Sequence, residues 1–221
     1  MYKAVLSVSL LVLAFGTSPS NQSHRRPAVS LGEGRMTLEY TAGEGAVVRI
    51  EAESEVELQD VHVFRPDGEL FLELSGRAGG LSGISVEQRV SEFDSLLRDY
   101  PYGDYEIRAT TTDGRRALGT VHFSFDLPAA PRIVSPAPDA VGVATSDLVL
   151  SWFPARGAVN YRLELEQDEN DGLTVALPPG QRSFRVPDGF LARGTETRFE
   201  VAAIGANGNS SLSEITFTTR P

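Results

Sequence analysis

The residue types that support catalysis are scarce in this chain of 221 residues. It contains three histidines and no cysteine, so disulfides, thiolate nucleophiles, iron–sulfur clusters and thiolate zinc sites are excluded. The sequence has no Gly-x-Ser-x-Gly elbow, phosphate-binding loop or dinucleotide fingerprint, and no histidine lies in a recognisable serine–histidine–aspartate context. We therefore predict that the protein is not an enzyme and uses no cofactor.

Two of the histidines, His62 and His122, lie in alternating runs that are typical of strands. If the two strands flank a common neighbour, both imidazoles lie on one sheet face near Glu106 or Arg108. A metal centre needs three or four ligands in fixed geometry, and the pattern offers two histidines and one carboxylate. We favour polar residues on a solvated face and predict no metal site.

The acidic run Asp168, Glu169, Asn170 and Asp171 has the oxygen ligands of a calcium loop at alternate positions. Such a loop needs a bidentate glutamate at its twelfth position, which here is Pro179. The favoured interpretation is a solvated hairpin turn, with a structural calcium ion as the alternative. Because the chain has 30 acidic residues, pairs with the spacing of glycosidase carboxylates arise by chance.

Tyr100, Tyr102 and Tyr105 form the one aromatic concentration in the chain. Exposed rings stack on sugars in carbohydrate-binding sandwiches, and aromatic residues also anchor protein interfaces. The alternative is that Tyr105, and with it Tyr102, belongs to the core or to a corner of the fold. We predict that Tyr100 is the exposed ring and that Tyr100 and Tyr102 are the candidate ligand-binding residues.

The N-terminus has the pattern of an export signal. Lys3 precedes an apolar run over residues 4–16, which is too short for a bilayer because spanning takes roughly 20 residues. The small residues Ala14 and Gly16 favour cleavage after Gly16, with cleavage after Ser18 as the second choice; a buried N-terminal strand is the alternative. We predict a signal peptide over residues 1–16, a flexible tether over residues 17–28 and a periplasmic or extracellular location.

The charge balance narrows the classes of partner. A formal net charge of −10 repels phosphate backbones and anionic lipid, so nucleic acid is not an expected partner. No second apolar run of about 18 residues follows the leader, so no membrane insertion is expected after its removal. The expected partner is an unknown protein or glycan.

From Val29 onward, short alternating runs separated by turn signals are typical of successive β-hairpins. Val48, Ile50 and Ala52 alternate with charged residues, and later runs repeat this period. Phe64 and Phe71 are out of phase with their apolar neighbours. One of them is expected on an outer face or in a turn, with the covering of a domain junction as the more common alternative for such residues.

Residues 91–97 interrupt the alternation with the spacing of a short helix. Ser91 is the predicted N-cap, and Phe93, Leu96 and Leu97 are placed on one face. The helix is expected to end before Pro101, because the residue before a proline disfavours helical geometry. Just after it, the residues Gly103, Asp104 and Tyr105 resemble the Gly-x-Tyr of an immunoglobulin-type tyrosine corner.

The proline- and alanine-rich segment 128–131 is the predicted hinge between two domains. The domains are predicted over residues 29–127 and 132–221, and each has the size of one β-sandwich. The predicted fold is all-β, with two tandem β-sandwiches, immunoglobulin-like followed by fibronectin type III-like.

Residues 131–221 resemble a fibronectin type III domain. The resemblance rests on the apolar positions of successive strands: Leu148, Leu150, Trp152, Tyr161, Leu163, Leu165, Phe184, Val186, Leu191, Phe199, Val201, Ala203, Ile215 and Phe217. Thr197 departs from the family, which usually places a corner tyrosine there, and no Arg-Gly-Asp sequence occurs. In residues 102–105, 113–114 and 127–131 the whole chain also resembles exported bacterial proteins in which a β domain precedes such a module, a resemblance that implies no activity.

These observations predict a non-catalytic exported protein of the bacterial envelope that serves binding or acts as a spacer. The rigid frame of a sandwich presents loops and sheet edges for recognition. The alternative is an accessory carbohydrate-binding protein that uses residues 100–105.

Overall fold

The computed structural model describes residues 7–8, 28–76, 79–167 and 171–221. Apart from residues 7, 8 and 28, the predicted signal peptide and tether lie outside the described residues. The prediction of an all-β chain with two tandem β-sandwiches is confirmed. The first compact unit ends at Phe125 and lacks residues 38–44, and the second contains Leu38–Glu44 and Asp126–Pro221.

Before the predicted hinge, the described residues form eight strands, and one short helix lies between the sixth and the seventh. Their bounds are β1 (Ser7–Val8), β2 (Val29–Ser30), β3 (Gly34–Thr41), β4 (Gly45–Phe64), β5 (Leu70–Ser75), β6 (Leu81–Val90), α1 (Phe93–Asp99), β7 (Gly103–Thr111) and β8 (Arg116–Phe123).

The long strand β4 changes partners along its length. Its first part pairs antiparallel with β6, and its last part lies between β5 and β7. The buried positions change from even numbers, such as Val48 and Ile50, to odd numbers, Val61 and Val63. A register shift between Leu58 and Asp60 causes this change, because one extra residue moves the following side chains to the opposite face. β7 in turn pairs with β8, which pairs with β2.

Helix α1 differs from the prediction at its beginning. Its N-cap is Glu92, without a side-chain capping bond, so the prediction of Ser91 as N-cap is wrong. Leu96 is fully buried whereas Leu97 is 45% exposed, because consecutive helical residues are about 100° apart around the axis. The helix ends before Pro101, as predicted. Among the described residues, no helix has the length and apolar character needed to cross a membrane.

The predicted tyrosine corner is present at the start of β7. Tyr105 is fully buried, and its Oη donates a hydrogen bond to the carbonyl oxygen of Pro101 at 3.1 Å. Gly103 has a φ of 133°, a backbone conformation that side chains other than hydrogen disfavour. This glycine and the hydrogen bond together set the point at which the chain enters the sheet.

The second unit has two sheets. The strands are β9 (Arg132–Ser135), β10 (Ala140–Val143), β11 (Val149–Phe153), β12 (Asn160–Gln167), β13 (Asp171–Leu177), β14 (Ser183–Arg185), β15 (Glu196–Ile204) and β16 (Ser210–Thr219). One sheet has the order β14-β11-β9, and the other runs β13-β12-β15-β16. β10 and residues 39–41 of β3 both pair parallel with β16.

The positions that carry the fibronectin type III resemblance form the core of the second unit. Trp152 is 2% exposed, and its ring centroid lies 5.8 Å from that of Tyr161. Thr197 is fully buried, and its Oγ1 accepts a hydrogen bond from Gln167 Nε2 at 2.7 Å. The Gln167 Oε1 atom accepts from the Ala192 amide at 2.6 Å. A buried polar network thus occupies the corner where the family places a tyrosine.

Two segments of the second unit were predicted to be a hinge and a solvated hairpin turn. The predicted hinge, 128–131, lies in this unit, where the Ala129 amide donates to the Arg156 carbonyl oxygen at 2.9 Å. β12 and β13 pair antiparallel from Gln167 and Asp171 outward, as the predicted hairpin requires. Residues 168–170, for which calcium was the alternative, lie outside the described residues.

Replacing Trp152 with alanine should destabilise the protein by about 3–5 kcal/mol, because the change removes a buried ring and leaves a cavity. Thermal or urea unfolding measures the effect. Val141→Ala is the control, because Val141 is 82% exposed and its truncation should change stability by no more than about 0.5 kcal/mol. A Trp152 variant that melts within a degree or two of the parent contradicts this core placement.

Candidate functional site

One sheet face of the first unit gathers side chains with chemical potential. Strand β7 buries Tyr105, Ile107 and Ala109, so the side chains between them point away from the core. With the outward residues of the neighbouring strands, and with Tyr102, whose ring contacts His122, they form a surface that we name the outer face. It comprises His62, Phe64, Tyr102, Asp104, Glu106, Arg108, Leu118, Thr120 and His122.

The two histidines of the outer face lie on strands that flank β7, as predicted. His62 is opposite Arg108, and His122 is opposite Asp104. The four-residue offset along β7 corresponds to about 13 Å, so the imidazoles are too far apart to share one metal ion. Among the described residues, no group of three or more histidines, aspartates or glutamates has the arrangement of a metal site.

The first feature of the outer face is an aromatic cluster at the start of β7. Tyr102 is 62% exposed, and its ring meets that of His122 edge-on, with centroids 5.1 Å apart and an interplanar angle of 88°. His122 Nδ1 lies 2.6 Å from Asp104 Oδ1. This contact orients the imidazole, and the imidazole in turn supports the tyrosine ring, whose other surface is open to solvent.

The second feature is an arginine stacked on a phenylalanine. Arg108 Cζ lies 4.3 Å from the Phe64 ring centroid, within the range of a cation–π interaction. The same guanidinium donates from Nε and Nη2 to the two carboxylate oxygens of Glu106, at 2.8 and 2.6 Å. Hydrogen bonding from Arg108 lowers the pKa of Glu106, so this carboxylate stays charged.

An open depression lies beside this pair. It is lined by His62, Glu106, Arg108, Thr110, Arg116 and Leu118. His62 Nε2 is 3.4 Å from Glu73 Oε1 on β5, and Leu118 is 42% exposed. The depression therefore combines an apolar side chain with donors and acceptors held by ion pairs, which is a suitable surface for binding.

The prediction that Tyr100 is exposed is wrong. Tyr100 is 2% exposed, its ring packs edge-on against Phe71 at 5.6 Å, and its Oη donates to Gln88 Oε1. Tyr100 is the C-cap of α1, and its amide donates to the carbonyl oxygen of Leu96. Its side chain therefore lies one helical turn after the buried Leu96, on the same side of the helix. Burial raises its pKa and raises that of Tyr105 to about 12. Of the two candidate ligand-binding residues, only Tyr102 lies at the surface.

The out-of-phase phenylalanines take opposite positions. Phe71 is half-buried and packs against Tyr100 and Tyr105, whereas Phe64 lies on the outer face beneath Arg108. The expectation that one of them is outward is confirmed. The pairing of Phe64 with Arg108 had no signal in the sequence, because it depends on the register between β4 and β7.

The second unit contains a different cluster, centred on Arg162 of β12. Arg162 Nη2 lies 2.8 Å from Glu39 Oε2 and 3.5 Å from Glu200 Oε1, and its Nε lies 2.8 Å from Glu164 Oε1. One guanidinium therefore serves three carboxylates. Arg198 on β15 adds a second positive charge, 3.6 Å from Glu200 Oε2.

Glu200 is the most perturbed carboxylate of this cluster. It is 7% exposed, and its pKa is raised to about 7, chiefly by burial and then by the negative charge of Glu164. Glu39 adds to this rise, and Arg162 opposes it. Although perturbed carboxylates mark candidate active sites, the contacts of this cluster are internal ion pairs that hold β3 residue Glu39 to the sheet. We assign it a structural role.

No family model matches this chain, and no curated protein matches its sequence. Among solved structures, it is similar to fibronectin(III)-like modules of Clostridium thermocellum CbhA, with 14% identity, coverage of 86% of this chain and 93% of that one, and a TM-score of 0.36. It is also similar to the chicken CNTN1 FN1–FN3 domains, at 13% identity, coverage of 88% and 68%, and a TM-score of 0.38. A two-domain fibronectin type III segment of chicken tenascin gives 9% identity, coverage of 86% and 99%, and a TM-score of 0.32.

The stability of Glu200→Gln relative to the parent should be greater at pH ~8 than at pH ~4.5. The folded pKa of about 7 lies above the unfolded value of about 4.3. The stability that neutral Glu200 contributes is therefore complete below the unfolded pKa and is lost as the pH rises to the folded pKa. Glutamine stays neutral and avoids this loss.

Melting temperatures of parent and variant across this pH range measure the effect, and the advantage of Glu200→Gln should grow by a few degrees as the pH rises. Glu196→Gln is the matched control, since Glu196 is an exposed glutamate at the start of the same strand. Equal pH profiles for Glu200→Gln and the parent contradict the proposed burial of this carboxylate.

Proposed function

We propose that this chain is a non-catalytic binding protein of the bacterial envelope and that it recognises its partner through the outer face of the first unit. The observation that carries the proposal is the exposed ring of Tyr102, supported by His122, on the same face as the Arg108–Phe64 stack. Aromatic residues and arginine are enriched where proteins bind one another. Their side chains here are held by contacts on the sheet, so little conformational entropy is lost on binding.

A binding role accounts for the Asp104–His122 pair better than catalysis does. In a hydrolytic triad, the imidazole takes a proton from a nucleophilic hydroxyl in a site shielded from water. Here the His122 side chain is 52% exposed and the Asp104 side chain is 71% exposed. Among the described residues, the polar partner of His122 is Asp104. We therefore assign this pair to the support of Tyr102.

The N-terminal pattern supports an exported location. Lys3 and the apolar run over residues 4–16 support export with removal of residues 1–16, and a chain without cysteine needs no oxidation partner to fold. We place the mature protein in the periplasm or outside the cell. The intact mass and N-terminal sequence of the protein recovered from the envelope test this, with cleavage after Gly16 expected.

The second unit fits the fibronectin type III architecture. Its core positions match those on which the resemblance rests, including Trp152, Tyr161 and Leu191. We propose that it acts as a spacer that carries the binding unit. The outer face of the first unit then supplies the specificity.

A photoreactive phenylalanine analogue at position 102 should crosslink the partner when the protein is expressed in its own envelope. The same analogue at Phe153 is the matched control, because Phe153 is also an exposed ring, 48% accessible, with Arg132 Cζ 4.1 Å from its centroid. A product that forms from position 102 and disappears with Arg108→Ala supports the outer face. Equal yields of that product from both positions contradict it.

A glycan is the second candidate partner, and one observation favours it. The free surface of the Tyr102 ring has the geometry for stacking on a sugar, with Asp104 beside it as an acceptor for hydroxyl groups. Of the tyrosines considered from the sequence, this one alone has the required exposure, because Tyr100 and Tyr105 are buried.

The fluorescence of a Tyr102→Trp variant tests whether this ring binds sugars. The single natural tryptophan, Trp152, is buried, so its emission should stay constant while that of position 102 shifts on sugar binding. Titration with a panel of cell-wall oligosaccharides should change the signal at 102 and leave a Phe153→Trp control unchanged. No response at position 102 to any oligosaccharide leaves a protein partner and excludes the glycan.

A further inference from the structure

Strand β6 has one edge that its own sheet does not use. Over Ser85–Val90 it pairs with β4 on one side. On its other side, the partner in the described part of the chain is β1, in which Ser7 and Val8 lie opposite Glu87 and Val86. β1 belongs to the segment that we propose is removed on export. Once β1 is removed, no strand in the described part of the mature chain pairs with the outer edge of β6.

Apart from its charged residues Glu87 and Arg89, β6 has few of the features that protect natural edge strands against pairing. Natural edge strands are short, contain proline or an inward-pointing charge, or are covered by another element. β6 has ten residues, no proline, and apolar side chains at the buried positions Ile84 and Val86. Its charged residues, Glu87 and Arg89, alternate with these and belong to the opposite, more exposed face.

The sequence of β6 is complementary to itself in the antiparallel direction. When Gln88 of one copy faces Gln88 of a second, Glu87 of each faces Arg89 of the other. Val86 then faces Val90, so apolar side chains meet on the core side. Opposite charges directly across two strands stabilise the pair, and like charges destabilise it.

Other registers are disfavoured. A shift by two residues in either direction places Glu87 opposite Glu87, or Arg89 opposite Arg89. A shift by one residue sets buried side chains against exposed ones, because side chains alternate between the faces. The register with Gln88 on the two-fold axis is therefore the favoured one for this strand.

The charges needed for this pairing are accessible. The Arg89 side chain is 84% exposed, and its Nη2 lies 3.9 Å from Glu87 Oε1 of the same chain. Glu87 accepts a shorter bond, 2.9 Å, from Arg49 Nε on β4. Pairing with a second copy would give the exposed guanidinium of Arg89 a carboxylate directly opposite it.

We propose that the mature chain forms a two-fold symmetric dimer in which the β6 strands of two copies pair antiparallel about Gln88. The proposal rests on the export step, which removes β1 from the edge. A contact of this length buries less than the roughly 1,200 Å² of a standard interface. The dimer is accordingly weak and concentration-dependent.

Sedimentation equilibrium of the chain that begins at Thr17, at concentrations up to several hundred micromolar, measures this association. Arg89→Glu should raise the dimer dissociation constant by about tenfold or more, because two attractive pairs become repulsive. The double variant Glu87→Arg with Arg89→Glu reverses both charges and should restore dimerisation. Unchanged melting temperatures establish that the variants fold. A monomeric parent, or a dimer that Arg89→Glu leaves intact, overturns the proposal.

Cysteine crosslinking tests the register, and the natural chain contributes no cysteine. Opposite residues on antiparallel strands have Cα separations of about 4.5–5.5 Å, which suit a disulfide. A mixture of Glu87→Cys and Arg89→Cys chains should form a mixed disulfide dimer on mild oxidation. A mixture of Ser85→Cys and Arg89→Cys chains is the matched control and should not. Equal yields overturn the register with Gln88 on the axis.

These measurements separate the dimer from the proposals on which it builds. If export leaves residues 1–16 in place, the full chain stays monomeric while the chain from Thr17 still dimerises. If the outer face has no partner, β6 pairing is unaffected, because no residue of the outer face belongs to β6. A chain from Thr17 that remains monomeric therefore overturns the dimer alone.

Discussion

The hydrogen bond from Tyr105 Oη to the Pro101 carbonyl oxygen anchors the start of β7 in the first unit. It fixes the position at which β7 enters the sheet, and with Tyr105 in the core the alternation of the strand turns Asp104 and Arg108 outward. The neighbouring strands then bring one histidine each to the same face. The core and the proposed recognition surface are thus two sides of the same strand, and neither can shift its register without the other.

In the second unit, hydrogen bonds between polar side chains take the place of the tyrosine corner. A buried Gln167–Thr197 hydrogen bond occupies its corner, and Arg162 ties Glu39 to the outward face of β12. A polar group inside a protein destabilises the fold unless its partners are complete, so these networks restrict the chain to one arrangement. On the outer face of the first unit, by contrast, the aromatic rings and ion pairs remain accessible to solvent.

The features that follow from local pattern could be predicted from the sequence, and those that depend on distant pairing could not. Alternation placed Ile107 and Leu163 in the core and brought His62 and His122 to one face. The prediction that Tyr100 is exposed was wrong, because the side-chain direction of this residue depends on its position at the end of α1. The Arg108–Phe64 stack and the pairing of residues 39–41 with β16 arise from register between strands far apart in sequence, about which residue types near each position carry no information.

Backbone amide chemical shifts of the mature chain, recorded while a solubilised envelope extract is titrated in, test recognition through the outer face. We expect the saturable shifts and line broadening to map to residues 62–64, 102–108 and 116–122. Tyr102→Ala should abolish them, while the spectrum of the second unit stays unchanged. Saturable changes confined to the second unit, or changes at the outer face that survive in Tyr102→Ala, would contradict recognition through the outer face.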